Sequence, residues 1–93
     1  MEKFHGFENW LKANDYVSWR SYLSFMHAIE KELGVKDFDQ INSGSVLQQL
    51  LIKLQNARSF AARTKSDRDN ILSGFRTYIL YKAETKNTLS KSN

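Results

Sequence analysis

His5 and His27 are the only histidines of the chain, and it contains no Cys. They fall on different segments, so neither a His cluster nor a thiolate metal site is encoded. Two carboxylate pairs stand at i,i+2 spacing, Glu30 with Glu32 and Asp37 with Asp39. On a helix that spacing turns the two side chains to different faces. In a loop, Asp37 and Asp39 could hold a cation together. However, no EF-hand pattern and no sufficient set of oxygens accompanies them, so solvated charges are expected. No HExxH, Walker A or GxGxxG run occurs. Nucleophile, base, metal and cofactor patterns are all missing. Catalysis is therefore not expected of this chain, and neither is a cofactor or a metal ligand.

The chemistry that the sequence does carry is that of binding. In the segment around WRSYLSFMHAIEKEL, Arg20, Ser24, His27 and Lys31 recur at i, i+4, i+7 and i+11. On a helix they fall within about 60° of one another, beside the apolar stripe. Two cations, a hydroxyl and a titratable imidazole suit phosphates and base edges, and they would equally suit an ordinary solvent face. A second polar group follows further on. Arg63, Lys65 and Arg68 gather at one turn, with Arg58 just before it. Asn70, Ser73, Arg76 and Thr77 continue along the next segment. Asn can read adenine, and a helix N-terminus offers free N–H groups to phosphate. Asp67 and Asp69 oppose an anion there and are read as helix-start residues. The alternative for Arg68 and Arg76 is a surface ion pair, which contributes little.

The elements that must position these residues are helices. The chain has no Pro and only four Gly. Four segments are apolar at helical spacing. The first, about 4–14, carries Phe4, Phe7, Trp10 and Leu11. The second starts at Ser18 as N-cap, carries Trp19, Tyr22, Met26, Ile29 and Leu33, and stops at Gly34. In the connection after it, Val35, Phe38 and Ile41 plug the core. The third, about 45–62, carries Val46, Leu47, Leu50, Leu51, Leu54, Ala57 and Ala61. The fourth, about 67–84, is started by Ser66 with Asp69 three residues on. It buries Ile71, Leu72, Phe75, Tyr78 and Ile79. Gly74 lies inside this last pattern and marks a crossing point with the second helix. This reads as an all-α, compact four-helix bundle over 1–85, with a flexible, disordered tail or linker over 86–93.

Composition sets the outer bounds. Ninety-three residues make one small domain, and 41% hydrophobic with 26% charged excludes a wholly disordered chain. No apolar run approaches the length of a membrane span, and the first ten residues hold no secretory signal, so the cytoplasm is the expected compartment. The net charge of +4 is unevenly placed. Residues 1–45 hold 5 Lys/Arg against 7 Asp/Glu, a net −2, and residues 46–93 hold 9 against 3, a net +6. That asymmetry points to a polyanion partner. A rival partner is another protein. Phe25, Ile52, Phe60, Leu80 and Tyr81 lie off the main stripes, and if exposed together they would make a docking patch.

The order of residues in SWRSYLSFMHAIEKELGV, DFDQINSGSVLQQLLIKL and TKSDRDNILSGFRTYILYKAE resembles the SAM-like N-terminal, core-binding domain of tyrosine recombinases, the phage integrases. The resemblance runs over about residues 4–84. It rests on Ser18 to Leu33, on Phe38 to Ile41, and on Ser66, Ile71, Ser73, Phe75, Arg76 and Ile79. It implies a SAM-like orthogonal bundle that clamps duplex DNA through its second and fourth helices. Carried over by residue, it implies DNA contacts from Arg20, Ser24, His27 and Lys31, and from Arg68, Asn70, Ser73, Arg76 and Thr77. Arg63 and Lys65 are candidate DNA contacts through their charge and place at the turn, apart from what the resemblance carries over. The recombinase chemistry of that family lies in a separate C-terminal domain, which 93 residues have no room for. The resemblance therefore implies DNA binding within integration or recombination, and no catalysis in this chain.

Overall fold

Phe4 opens the described chain in the left-handed region, with φ 61°, and is buried. The structure, a computed structural model, describes residues 4–91 and the side chains of 4–85. The elements are α1 (His5–Ala13), α2 (Trp19–Leu33), a 3-10 turn η1 (Phe38–Gln40), α3 (Gly44–Gln55), α4 (Arg58–Ala61) and α5 (Lys65–Lys91). The fold is all-α, with no strand among the described residues.

Local signals explain most of the boundaries. Gly34 closes α2 at φ 70°, a conformation that glycine adopts without a Cβ penalty. The Val35 N–H then reaches back to the Glu30 carbonyl at 3.1 Å. Ser18 stands at the N-cap of α2 but makes no side-chain cap bond. Ser43 does cap α3, accepting from the Val46 N–H at 3.3 Å. The cap of α5 differs from the sequence expectation. Thr64, not Ser66, accepts from the Asp67 N–H, at 3.1 Å, so Asp67 is the acid three residues on. The backbone of α5 also continues as helix to Lys91, past the boundary near 84 that side-chain periodicity suggests.

The third helix differs most from its reading. It does not run from 45 to 62 but ends at Gln55. Asn56 folds its amide back onto the Ile52 carbonyl at 3.0 Å, and Ala57 turns extended at ψ 134°. The chain restarts as α4, and this break swings Phe60 into the core, where it is 2% exposed. In an unbroken helix the spacing would have kept Phe60 off the apolar stripe.

The core is aromatic. Tyr78 of α5 is fully buried and meets Phe4, Phe7 and Phe38 edge to face, at centroid distances of 5.6, 5.0 and 6.1 Å. Such edge contacts add about 0.5–1.5 kcal/mol per pair beyond area burial. Met26 and Ile29 of α2, Leu47, Leu51 and Leu54 of α3, and Ile71 and Phe75 of α5 complete it.

One carboxylate ties the aromatic centre to the chain ends. Asp39 in η1 accepts from the Phe4 N–H at 2.8 Å and from the Tyr78 hydroxyl at 2.7 Å. Lys82 of α5 donates to the Asp39 carbonyl at 3.0 Å. The aspartate read from sequence as a solvated charge is therefore a three-element clasp.

Burial pushes the Tyr78 phenol far above its ordinary value, and the Asp39 carboxylate beside it pushes the same way. The folded state thus holds a proton that the unfolded chain releases above about pH 10. Stability carried by Tyr78 is complete below that pH and falls by about 1.4 kcal/mol per unit above it. Lys82, whose ammonium burial pushes down, works in the opposite sense over the same range. Urea midpoints at pH 9 and pH 11 should therefore differ more for the native chain than for Tyr78→Phe. Parallel shifts would show that Tyr78 does not carry the alkaline loss.

Candidate nucleic-acid interface

The apolar stripe of α2 sets where its polar residues go. Met26 and Ile29 are buried, so the opposite side of α2 faces solvent. Arg20, Ser24, His27 and Lys31 are all exposed there. The Arg20 guanidinium lies 4.7 Å from the centre of the Trp19 ring, a contact that steadies the side chain without neutralising it. His27 Nδ1 is 3.6 Å from Glu30, and its ring meets Phe4 edge-on at 5.4 Å. His27 and Lys31 also line an open hollow of about 330 Å³ at the end of α2, together with Gly34 and Lys36.

The turn before α5 behaves differently. Arg63 donates to Asp67 at 2.7 Å and to Glu32 of α2 at 3.4 Å. The Asp67 hydrogen bond, above all, raises its pKa. Glu32 also accepts from the Ser59 hydroxyl of α4. Lys65 pairs with Asp69 at 2.9 Å, one turn along α5, and holds that carboxyl below its usual range. Arg68 donates to the backbone carbonyls of Ala61, at 3.2 Å, and Arg63. Arg63 and Arg68 thus pin the turn to α2 and α4, and Lys65 is paired along its own helix. The three cations that the sequence gathers at this turn already have partners within the fold.

Further along α5, Asn70, Ser73 and Arg76 are exposed. Thr77 is half-buried and donates back to the Ser73 carbonyl at 2.9 Å. Neither Arg20, Lys31 nor Arg76 forms a salt bridge among the described residues.

α2 packs against α5 more extensively than any other pair of elements. They meet at Gly74, where an added Cβ would lie 2.9 Å from the Phe25 Cβ, so the crossing expected at this glycine is present. Beside the crossing runs a groove of about 280 Å³, lined by Ser18, Ser21, Tyr22 and Phe25 of α2 and by Asn70 and Ser73 of α5. The structure therefore brings two candidate residues of α5 against α2, but not against the candidate stripe of α2. At 100° per residue, the Arg20–Lys31 stripe points about 130° away from the groove side of that helix.

Sequence reasoning missed Ser18, Ser21 and Tyr22 as groove residues. Ser18 was read as a cap and Tyr22 as core. The usable signal was the i, i+3, i+7 spacing of Ser18, Ser21 and Phe25 opposite a mid-helix glycine. The apolar set does not form one exposed patch. Phe60 is in the core, Phe25 and Tyr81 are half-buried, and Ile52 and Leu80 are exposed at 57% and 46%.

Searches against protein-family models, curated proteins and solved structures return no match to this chain. The interface must therefore be judged on its own geometry. No group of three or more His, Cys, Asp or Glu able to hold a metal occurs among the described residues. Among them, too, no helix is long and apolar enough to cross a membrane.

Proposed function

We propose that this domain is a non-catalytic DNA-binding module that contacts duplex DNA along α2 and α5. The observation that carries this is the state of its cations. Arg20, Lys31 and Arg76 stand exposed on the two helices that pack together most, and none of them forms a salt bridge among the described residues. Their positive charge is less committed than that of Arg63 and Lys65, which are paired with carboxylates internally. Ser24, His27, Asn70, Ser73 and Thr77 supply polar groups beside them. The net +6 of residues 46–93 adds a long-range attraction for a polyanion. The resemblance to the core-binding domain of tyrosine recombinases supports the same two helices. It makes a cytoplasmic integrase or recombinase the kind of protein to which such a module belongs.

Three phosphate contacts set a modest salt dependence, a slope of about −2.7 in log affinity against log salt. Raising salt from 50 to 200 mM should then weaken duplex binding about forty-fold. A fluorescence titration measures this directly. Arg20→Ala with Arg76→Ala should lower the slope by about 2 and leave the thermal melt unchanged, since both side chains are exposed. Binding that ignores salt, or a double variant that binds as before, sinks the assignment. A concentration-dependent dimer with no DNA shift would favour docking through Ile52 and Leu80 instead.

A further inference from the structure

We propose that the groove between α2 and α5 receives one unpaired nucleobase, so that the domain prefers DNA carrying an extrahelical base. This rests on the DNA-binding reading and specifies which form of DNA is recognised.

Five of the six lining side chains are polar: Ser18, Ser21, Tyr22, Asn70 and Ser73. None of the five makes a side-chain hydrogen bond among the described residues. Polar groups elsewhere in the fold do otherwise: Thr77 and Thr64 are engaged, and so is Asn56. Four hydroxyls and one amide are therefore uncommitted around a single concavity. Together they offer both donors and acceptors, because a hydroxyl is each and an amide is both.

No lining residue is charged. A phosphate, carboxylate or ammonium would leave water for this groove and find no countercharge. An aliphatic side chain would cover the hydroxyls without bonding them, which is costly. The sixth residue is Phe25, and the Tyr22 and Phe25 rings lie 6.1 Å apart with planes at 86°. The groove is therefore a corner of two aromatic planes edged by hydroxyls and an amide. The occupant that satisfies both is neutral and flat, with a π-face and a mixed donor–acceptor edge. A nucleobase has that description, and unpaired bases are held in this way, by stacking with edge hydrogen bonds. At about 280 Å³ the groove lies near the lower end of small-ligand pockets.

Of the three exposed candidate cations, Arg76 is one turn beyond Ser73 on α5, where it can meet a phosphate flanking the bound base, whereas Arg20 and Lys31 lie on the side of α2 turned away from the groove. Gly74 keeps the walls fixed, since the helices touch there with no room to slide together.

The test uses the full chain and three labelled duplexes at one low salt concentration. The first is fully paired, the second carries a single-nucleotide bulge, and the third carries an abasic residue at the bulge. The base-containing bulge should bind about tenfold tighter than the paired duplex, the change that one base–aromatic stack produces. The abasic bulge should return to the paired level. Ser21→Leu, at an exposed helical position, should plug the groove and erase the preference while paired-duplex affinity stays as it was. Equal affinity for paired and bulged DNA overturns the inference and leaves the duplex reading standing. An abasic bulge that binds as tightly as the base-containing one also overturns it, because a kink would then be the feature recognised. A preference that survives Ser21→Leu in a folded variant does the same. Failure to bind any of the three removes both readings.

Discussion

Asp39→Ala should destabilise the domain by about 2 kcal/mol, although Asp39 itself is exposed. The carboxylate accepts from the Phe4 N–H and from the Tyr78 hydroxyl. Both donors belong to buried residues, and alanine leaves them without an acceptor. An unsatisfied buried donor costs about 1–3 kcal/mol, and water entering from the open side of η1 offsets part of that. Backbone strain acts in the other direction, because losing the acceptor lets Phe4 relax. Phe4 sits at φ 61°, a region that costs a bulky residue about 1–3 kcal/mol and persists only where its surroundings hold it. In a domain of this size, the thermal midpoint should fall by about 10 °C. Asp39→Asn, which keeps one acceptor oxygen, should lose about half as much. The decisive measurement is a double-mutant cycle. In a Tyr78→Phe background, Asp39→Ala should cost about 1 kcal/mol less, because the hydroxyl is already gone. Additive losses would mean that the clasp acts only through Phe4.

This clasp shows where sequence reading stops. The helices were legible because Met26, Ile29, Leu47, Leu54, Ile71 and Phe75 keep a helical period and are all buried. Gly34 was legible as a stop because a positive φ after a helix suits glycine. Asp39 was not legible, since a lone Asp in a loop looks the same whether solvated or bonded across 39 positions of sequence. The break at Asn56–Ala57 was hidden for a related reason: no Gly or Pro marks it, and tertiary burial of Phe60 decides it.

The candidate interface was legible in part. Exposure of the Arg20, Ser24, His27 and Lys31 stripe was legible because those residues keep a helical period off the apolar stripe of α2. The pairing of Arg63 with Asp67 and Glu32 was not, because Glu32 comes from another helix. Local charge counts therefore overstated what the turn offers a polyanion. The groove lay between two helices, and only their crossing brought its two sides together.

That crossing leads to the largest expected effect, Gly74→Val, at about 3 kcal/mol of destabilisation. Propensity argues the other way. A glycine inside a helix costs about 1 kcal/mol against alanine, so filling the position should help α5 in isolation. Packing reverses the sign. A Cβ at Gly74 meets both the Cβ and Cδ2 of Phe25 at 2.9 Å, and a Cβ atom close to its own backbone cannot swing aside. Gly74→Ala should then lose about 1 kcal/mol, the propensity gain offsetting part of an overpacking cost of about 1–3. Valine adds two γ-carbons at the same point and should force α2 and α5 apart. Phe25→Ala removes the opposing side chain. In that background Gly74→Ala should become neutral or stabilising, as the propensity gain reasserts itself. Urea unfolding of the four chains in that cycle reads the sign directly. A Gly74→Ala variant more stable than the native chain would show that the helices do not meet at this point, and the groove beside them would lose its second wall.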